Sequence, residues 1–130
     1  MFRKVDCVRI RVPDLDEGLK FYCEQLGHEL AWRRGSVEAG LRLPQSDTEL
    51  VLFTTPTDLG NDSPEVDLLV DSADEASARL GSLGGQVLEG PFDIPVGRCA
   101  VVMDPFGNKL VVLDLSKGLL RTDTHQNVVE

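Results

Sequence analysis

The chain has 130 residues, with 22 acidic and 13 basic side chains and a formal net charge of −9. This balance argues against partners such as nucleic acid or an anionic membrane surface, and no segment approaches the roughly 20 apolar residues of a membrane span. The start MFRKVD lacks the apolar run of a signal peptide, and three cysteines without a CxxC pair predict free thiols, so we expect a single-domain cytoplasmic protein.

The first half of the chain predicts one strand, one helix and three further strands. The alternating strand VRIRV leads to Asp14, an N-cap residue with Glu17 three positions later, and Gly27 ends the helix. The apolar stripe of this helix is predicted at Leu15, Leu19, Tyr22 and Leu26. The strand candidates that follow are HELAWRR, VEAGLRL and TELVLF, separated by RGS and PQSD.

The second half predicts the same order after the connector TTPTDLGNDSP. The strand VDLLV precedes the N-cap Ser72 with Glu75 three positions on, and the Gly84–Gly85 pair ends the helix. Its apolar stripe is predicted at Ala73, Ala76, Leu80 and Leu83. The strands QVLEGPF, RCAVVM and KLVVLD follow, and the polar end RTDTHQNVVE is expected to be frayed.

The two halves align without a gap at a constant offset of 58 residues, from Cys7–Leu30 to Glu65–Leu88. Helix caps, glycine stops and strand phase coincide at this offset, which favours an internal duplication over chance similarity. We therefore predict a first module at about 1–55, a linker at 56–64, a second module at about 65–116 and a tail at 117–130.

Two motifs carry a family resemblance: the F-Y-x-x-x-L-G run from Phe21 to Gly27, and the D-P-x-G-N turn from Asp104 to Asn108. Together they resemble the vicinal oxygen chelate superfamily, which includes glyoxalase I, bleomycin-resistance proteins, fosfomycin-resistance enzymes and extradiol dioxygenases. The resemblance covers nearly the whole chain. It implies an α+β fold of two tandem βαβββ modules forming a curved mixed sheet around one cavity, commonly in a homodimer.

Enzymes of this superfamily usually hold a divalent metal with side chains from the first and last strand of each module. The resemblance places these positions at Cys7, Val51, Glu65 and Val111. Valine has no lone pair, and Cys7 with Glu65 lacks the third protein ligand of a catalytic site. His28, after the first helix, and His125, in the tail, match none of these positions, and we favour solvated imidazoles. We therefore expect no metal and no other cofactor.

Strand alternation predicts which side chains could meet a ligand. Val8, Ile10 and Val12 should face the first helix, with Cys7, Arg9 and Arg11 opposite; Val66, Leu68 and Val70 should face the second helix, with Glu65, Asp67 and Leu69 opposite. The family register adds four cavity positions on the last strands. The candidate ligand-binding residues are Cys7, Arg9, Trp32, Val51, Phe53, Glu65, Asp67, Val111 and Leu113.

Several candidate residues have a structural interpretation as well as a functional one. Arg9 and Asp67, related by the repeat, are favoured as an ion pair between modules over a ligand anchor. Trp32, with Arg33 and Arg34, is either an edge-strand face with solvated arginines or a ring that stacks on a planar ligand. Glu65 could act as an acid or base, but we favour a strand-start carboxylate in water. Arg42 and Arg98 are further anchor candidates, whereas Phe92 and Phe106 could equally pack turns.

These observations favour a metal-free small-molecule-binding protein, similar to bleomycin-resistance proteins, that sequesters a drug or metabolite. The acidic net charge suggests a cationic or aromatic ligand. The alternative is a metal-dependent enzyme, a glyoxalase-like lyase, thiol transferase or ring-cleaving dioxygenase, in which the metal acts as a Lewis acid. Metal-free acid–base catalysis by Glu65 is a third possibility, so whether the protein is an enzyme stays open.

Overall fold

A computed structural model describes residues 1–54 and 64–129 of the chain. The predicted linker at 56–64 therefore lies outside the described residues, apart from Pro64. Strand, helix and three strands follow one another twice, as predicted. The elements are β1 (Lys4–Arg11), α1 (Leu15–Leu19) with a π-helical segment (Lys20–Gln25), β2 (Glu29–Arg34), β3 (Glu38–Leu43), β4 (Ser46–Phe53), β5 (Glu65–Leu69), α2 (Ala73–Ser82), β6 (Gln86–Ile94), β7 (Gly97–Met103), β8 (Lys109–Leu113), β9 (Arg121–Thr122) and β10 (Val128–Val129).

The chain divides into two compact units. The first unit comprises Cys7–Glu65 with Arg121–Glu130, and the second comprises Met1–Asp6 with Val66–Leu120. In the first unit the strand order is β2-β3-β4-β1, with β1 parallel to β4 and the other pairs antiparallel. In the second unit the order is β5-β8-β7-β6, and again the pair formed by first and last strand of the module is parallel.

One face of each sheet is covered by that unit's helix. The core of the first unit contains Val12, Leu15, Ala39, Leu41 and Leu52, and that of the second contains Val70, Ala73, Ala76, Ala100, Val102 and Val112. Gly18 lets α1 approach its sheet closely, since a Cβ atom there would lie 3.1 Å from Val12 and 3.2 Å from Leu52. Val12 and Val70 thus pack under their helices as the alternation predicts, whereas Val66 is 46% exposed.

Both predicted helix caps are present. The Asp14 Oδ2 atom accepts a hydrogen bond from the Glu17 N–H at 3.0 Å, and the Ser72 Oγ atom accepts one from the Glu75 N–H at 3.1 Å. Each bond satisfies a backbone donor that has no partner within its helix. The predicted stops also hold, with Gly27 at φ 86° and Gly84 at φ 94°.

The buried carboxylate of Asp114 adds a second connection at the start of α2. It accepts hydrogen bonds from the Ala73 N–H at 2.8 Å, the Arg98 N–H at 2.9 Å, and both the N–H and the hydroxyl of Ser116. Burial alone would raise the pKa of Asp114, but these hydrogen bonds to the ionised form outweigh it and the pKa is lowered. The carboxylate therefore ties α2 to β7 and to the residues after β8.

The apolar stripes differ from the prediction at the ends of both helices. After Leu19 the chain is π-helical, and the Leu26 N–H donates to the Phe21 carbonyl five residues back at 2.9 Å. This wider turn shifts the phase, so Cys23 packs on the core and Leu26 is 53% exposed. In the second helix Leu83 is the C-cap residue and is 64% exposed, while Ser77 is buried.

The tail also differs from the prediction of a frayed end. Strands β9 and β10 pair as a small antiparallel hairpin, and the Asp123 Oδ1 atom accepts bonds from the N–H groups of His125 and Asn127. The Arg33 N–H donates to the Gln126 carbonyl at 2.8 Å, and Arg33 forms a parallel bridge with Asn127. The tail therefore covers part of the outer edge of β2, an edge that would otherwise be open to pairing.

No helix in the described part of the chain is long and apolar enough to cross a membrane.

Candidate functional site

The sheet of the first unit carries polar and aromatic side chains on the face opposite α1. Strand register defines this surface, because directly paired residues share a face. One row across the four strands is Arg11, Phe53, Glu38 and Arg34; the next is Arg9, Val51, Gly40 and Trp32; Cys7 and Glu49 begin a third. We call these ten residues the ionic face.

Arg9 lies at the centre of an ion-pair network. Its Nη2 atom is 3.3 Å from Glu38 Oε2, and its Nε atom is 3.5 Å from Glu65 Oε2 at the start of β5. The Arg9 side chain is 19% exposed and those of Glu38 and Glu65 are 14% and 11% exposed. At such burial each charge needs its partner to offset the loss of hydration. Glu65 is therefore not a carboxylate left in water, which corrects that prediction.

Glu38 joins Arg9 to a second arginine. Its Oε1 atom forms an ion pair with Nη1 of Arg34, directly opposite on β2. The Arg34 side chain is 25% exposed, so the prediction of a solvated arginine is wrong for this residue. The neighbouring Arg33 lies on the other face of β2 and pairs with Asp16 at 2.8 Å.

Guanidinium groups also lie over both aromatic rings of the ionic face. The Arg9 and Arg11 guanidinium carbons are 4.8 and 5.7 Å from the centroid of the Phe53 ring. The Arg34 guanidinium carbon is 6.0 Å from the Trp32 ring. These distances are within the range of attractive cation–π contacts.

Trp32 is held by two further residues. Its indole N–H donates to Glu49 Oε1 at 2.9 Å, and the ring covers Gly40, where any Cβ atom would overlap the indole. Trp32 is buried and lies on β2, the strand at the end of the order, as one of the two interpretations predicts. Whether it stacks on a ligand stays a prediction.

The corresponding face of the second unit is mainly apolar but carries a carboxylate. Val111 and Leu113 are buried, as are their register partners Val101 and Cys99 on β7. Asp67, paired in register with Val111, is buried as well. The predicted ion pair of Arg9 with Asp67 involves residues of different units and stays a prediction. Within its own unit, Arg9 forms ion pairs with Glu38 and Glu65.

The remaining candidate residues are not among those of the ionic face. Arg98 contacts Asp74 at 3.1 Å and Asp93 at 3.4 Å and so braces α2 against the β6–β7 hairpin. Arg42 is exposed. Phe106, at the tip of the D-P-x-G-N turn, is 86% exposed and does not pack the turn, whereas Phe92 is half-buried on β6. His125 is exposed and His28 half-buried, and the role of solvated imidazole stays a prediction for both.

Sequence reasoning missed Glu38, Gly40 and Glu49, although the signal was present. Period-two alternation along VEAGLRL puts Glu38 and Gly40 on one face, and along TELVLF it puts Glu49 with Val51 and Phe53. Once β3 is placed beside β4, the two sets share a surface. The missing step was the pairing of the strands.

The residues at the family's metal positions do not fit a divalent metal. Val51 and Val111 have no donor atom, Cys7 is a buried thiol, and Glu65 binds Arg9. Across residues 1–54 and 64–129, no three His, Cys, Asp or Glu side chains come together as a candidate metal-binding group.

Comparison with known proteins decides the family. A model of the Glyoxalase/Bleomycin resistance protein/Dioxygenase superfamily matches residues 4–112. The chain belongs to this superfamily. A protein of unassigned function from Mycolicibacterium smegmatis is 33% identical over 111 residues, covering 83% of this chain and 90% of that protein. The family expected from the two motifs is thereby confirmed.

Solved structures share the fold at low identity. Methylmalonyl-CoA epimerase from Mycobacterium tuberculosis has a TM-score of 0.71 and 20% identity, covering 88% of this chain and 89% of that one. A structure described as an NAD-dependent benzaldehyde dehydrogenase from Legionella pneumophila has a TM-score of 0.68 and 18% identity, covering 85% and 98%. These likenesses confirm the α+β fold class with mixed sheets.

Proposed function

We propose that this superfamily member is a cytoplasmic, metal-free protein that binds a small drug-like molecule or metabolite on the ionic face, with a homodimer as its assembly. The observation that carries the proposal is the cluster that Arg9, Glu38 and Phe53 on the sheet face opposite α1 form with Glu65 at the start of β5. Stability does not require such a cluster, because replacing largely buried ion pairs by apolar residues is often neutral or stabilising. Apolar and aromatic surface with a few fixed polar groups is typical of small-molecule sites.

Ligand screening tests this function. Candidate compounds of all charge types are screened by the rise in melting temperature and by the emission of Trp32, which is the chain's single tryptophan. A compound that binds the ionic face should raise the melting temperature through ligand linkage and change the Trp32 emission, because Trp32 is part of that face.

A pair of matched variants locates the binding. Phe53→Leu removes the ring beneath Arg9 and Arg11 and should reduce the ligand-induced rise. Phe21→Leu is the control, because Phe21 belongs to the same unit but lies on the helical segment. There it is 47% exposed and its ring contacts that of Tyr22. Equal ligand responses in both variants would place the binding elsewhere on the protein.

The metal-free part of the proposal has its own measurement. Protein purified without chelator should contain no stoichiometric metal, and Zn²⁺, Ni²⁺, Mn²⁺ or Fe²⁺ should not raise its melting temperature, because valines occupy two of the four family positions. About one equivalent of bound metal with a stability gain would contradict this and favour the glyoxalase-like, thiol-transferase or dioxygenase alternative.

A further inference from the structure

We infer that a second copy of this chain binds an exposed apolar patch at the end of α2, where Phe106 of each copy packs against Leu83 of the other. The patch consists of Leu83, Val87, Pro105 and Phe106, and we call it the end patch. This inference rests on the homodimer of the proposed function and names its interface.

The end patch lies where two turns of the second unit meet. A Cβ atom on Gly84, the residue after Leu83, would lie 3.7 Å from Cγ of Pro105 in the turn between β7 and β8. Val87 on β6 lies near the last turn of α2, since a Cβ atom on Gly81 would be 4.0 Å from its Cγ2 atom. The two turns therefore place their apolar side chains at one end of the unit.

The side chains of the end patch are in contact with solvent. Phe106 is 86% exposed, Leu83 is 64% exposed and Val87 is 38% exposed, and Pro105 is exposed as well. Single apolar residues are common on protein surfaces, whereas neighbouring ones mark interaction sites. The end patch thus has the character of a surface that a partner covers.

A rigid turn presents Phe106. The carboxylate of Asp104 accepts hydrogen bonds from the Phe106 N–H at 2.9 Å and from the N–H and the side-chain amide of Asn108, both at 2.8 Å. Gly107 adopts the φ of 89° that this turn uses. Because the backbone is already fixed and an aromatic side chain has few rotatable bonds, little conformational freedom is lost when a partner covers the ring. Phe106 therefore has the properties of an interface anchor.

The distribution of charge favours a second copy at the end patch. Two chains of net charge −9 repel each other unless the surfaces that meet are not themselves acidic. Residues 79–88 and 103–109 carry two basic and one acidic side chain. Residues 13–29, which include the exposed Phe21 and Leu26, carry five acidic side chains and one basic one. A second copy can therefore approach the end patch without meeting an acidic surface.

A twofold-symmetric contact suits the composition of the end patch. In such a dimer both copies use the same surface, so each must contain the anchor and the surface that receives it. Phe106 is the anchor, and Leu83 with Val87 is the apolar receiving surface. Four side chains bury less than the roughly 800 Å² that each partner contributes to a standard interface. We therefore expect a weak, concentration-dependent dimer.

Sedimentation velocity of the full chain over about 1–100 μM tests the interface. The wild type should shift from monomer to dimer as the concentration rises, and Phe106→Ser should raise the dissociation constant of the dimer at least about tenfold. Phe21→Ser is the matched control, because this phenylalanine is also exposed but lies in the acidic segment; it should dimerise as the wild type does. Melting temperatures at the lowest concentration should agree for wild type and Phe106→Ser, because the Phe106 side chain is outside the core.

Two charged variants test the reciprocal contact. Phe106→Glu and Leu83→Lys should each dimerise at least about tenfold more weakly alone, because each places a charge against an apolar side chain. An equimolar mixture should form a heterodimer, since one of its two contacts pairs the introduced carboxylate with the introduced ammonium group and the other keeps Phe106 against Leu83. A mixture that associates no better than either variant alone would overturn the reciprocal contact.

The outcomes separate the inference from the proposed function. A dimer that persists unchanged in Phe106→Ser would overturn the end patch as the interface and leave the homodimer intact. A wild type that stays monomeric at every concentration would overturn both the interface and the homodimer, while ligand binding is judged separately by the melting-temperature screen. Binding of the wild-type monomer to phosphatidylcholine vesicles, lost in Phe106→Ser, would assign the end patch to a membrane surface and overturn the inference.

Discussion

At the scale of single residues, Gly40 and Trp32 occupy directly paired positions on β3 and β2, and the indole covers the space where a side chain at residue 40 would lie. Glu49 holds the same ring through its N–H. The sequence alone shows a lone tryptophan and an ordinary strand glycine. The reason for this glycine lies in its neighbour across the sheet, which no local pattern encodes.

Gly40→Ala should displace Trp32 and destabilise the protein by about 1–3 kcal/mol, as expected for overpacking. Denaturant unfolding gives the free energy, and the emission maximum of Trp32 reports the displaced ring. Gly81→Ala is the control, because a Cβ atom there meets only Val87 at 4.0 Å and alanine favours a helix. An unchanged emission maximum in Gly40→Ala would contradict the packing described.

Asp114 is a buried carboxylate whose contribution to the stability of the fold depends on pH. Its pKa is lowered in the folded protein, so the ionised form stabilises the fold. That contribution is present above the unfolded pKa of about 3.9 and is lost as the pH falls through the lower folded value.

Asp114→Asn should therefore cost about 2 kcal/mol or more at neutral pH and should flatten the loss of stability below about pH 4. Urea unfolding at a series of pH values measures both. Asp71→Asn is the control, since the Asp71 side chain is exposed and its ion pair with Arg3 is solvated. If the free energy of unfolding changed with pH in the same way in wild type and Asp114→Asn, the Asp114 carboxylate would not have this stabilising role.

At the scale of elements, the first helix shows where sequence patterns stop being informative. Its start was predictable because the cap is local: Asp14 and the Glu17 N–H are three residues apart. The stop at Gly27 was also predictable, but the phase of the last turns was not, because the π-helical segment widens the hydrogen bonding from four to five residues without a distinctive composition. The same holds for Leu83, which has an apolar side chain in helical phase but lies just after the last turn of α2.

Leucine truncations distinguish the two helical geometries. Leu26→Ala should change stability by less than about 0.5 kcal/mol, because the π-helical segment exposes this side chain. Leu15→Ala should cost about 2–5 kcal/mol, since Leu15 is fully buried. Similar costs for both substitutions in urea unfolding would indicate a regular α-helix with Leu26 on its apolar stripe.

At the scale of the whole molecule, the repeated order of strands and helix and the family were predictable from the sequence, because caps, stops and strand phase are local and repeat. The partners within the site were not. Glu38 and Glu65 reach Arg9, and Glu49 reaches Trp32, through contacts between residues 17 to 56 positions apart in the sequence, a separation that alternation along one strand does not reveal. The ordered pairing of the tail was not predicted for the same reason, since its partner, Arg33, is distant in the sequence.

Removal of residues 121–130 tests the role of the tail. The Arg33 N–H should lose its protection in hydrogen exchange, because its acceptor, the Gln126 carbonyl, is gone. The amide of Leu52, in the middle of the same sheet, serves as the internal reference. Unchanged exchange at Arg33 would mean that the hairpin does not hold the β2 edge in solution.

The contrast between the ionic face and the mainly apolar face of the second unit determines which of these positions can change singly in evolution. Val101, Val111 and Leu113 can be exchanged for other aliphatic residues one at a time, at a cost below about 1.5 kcal/mol when volume is kept. Glu38 cannot change alone, because it would leave Arg9 and Arg34 with unbalanced charge at a largely buried position. Homologous chains should therefore vary singly at these three aliphatic positions and by coordinated pairs on the ionic face, so that a new ligand preference requires linked substitutions on neighbouring strands.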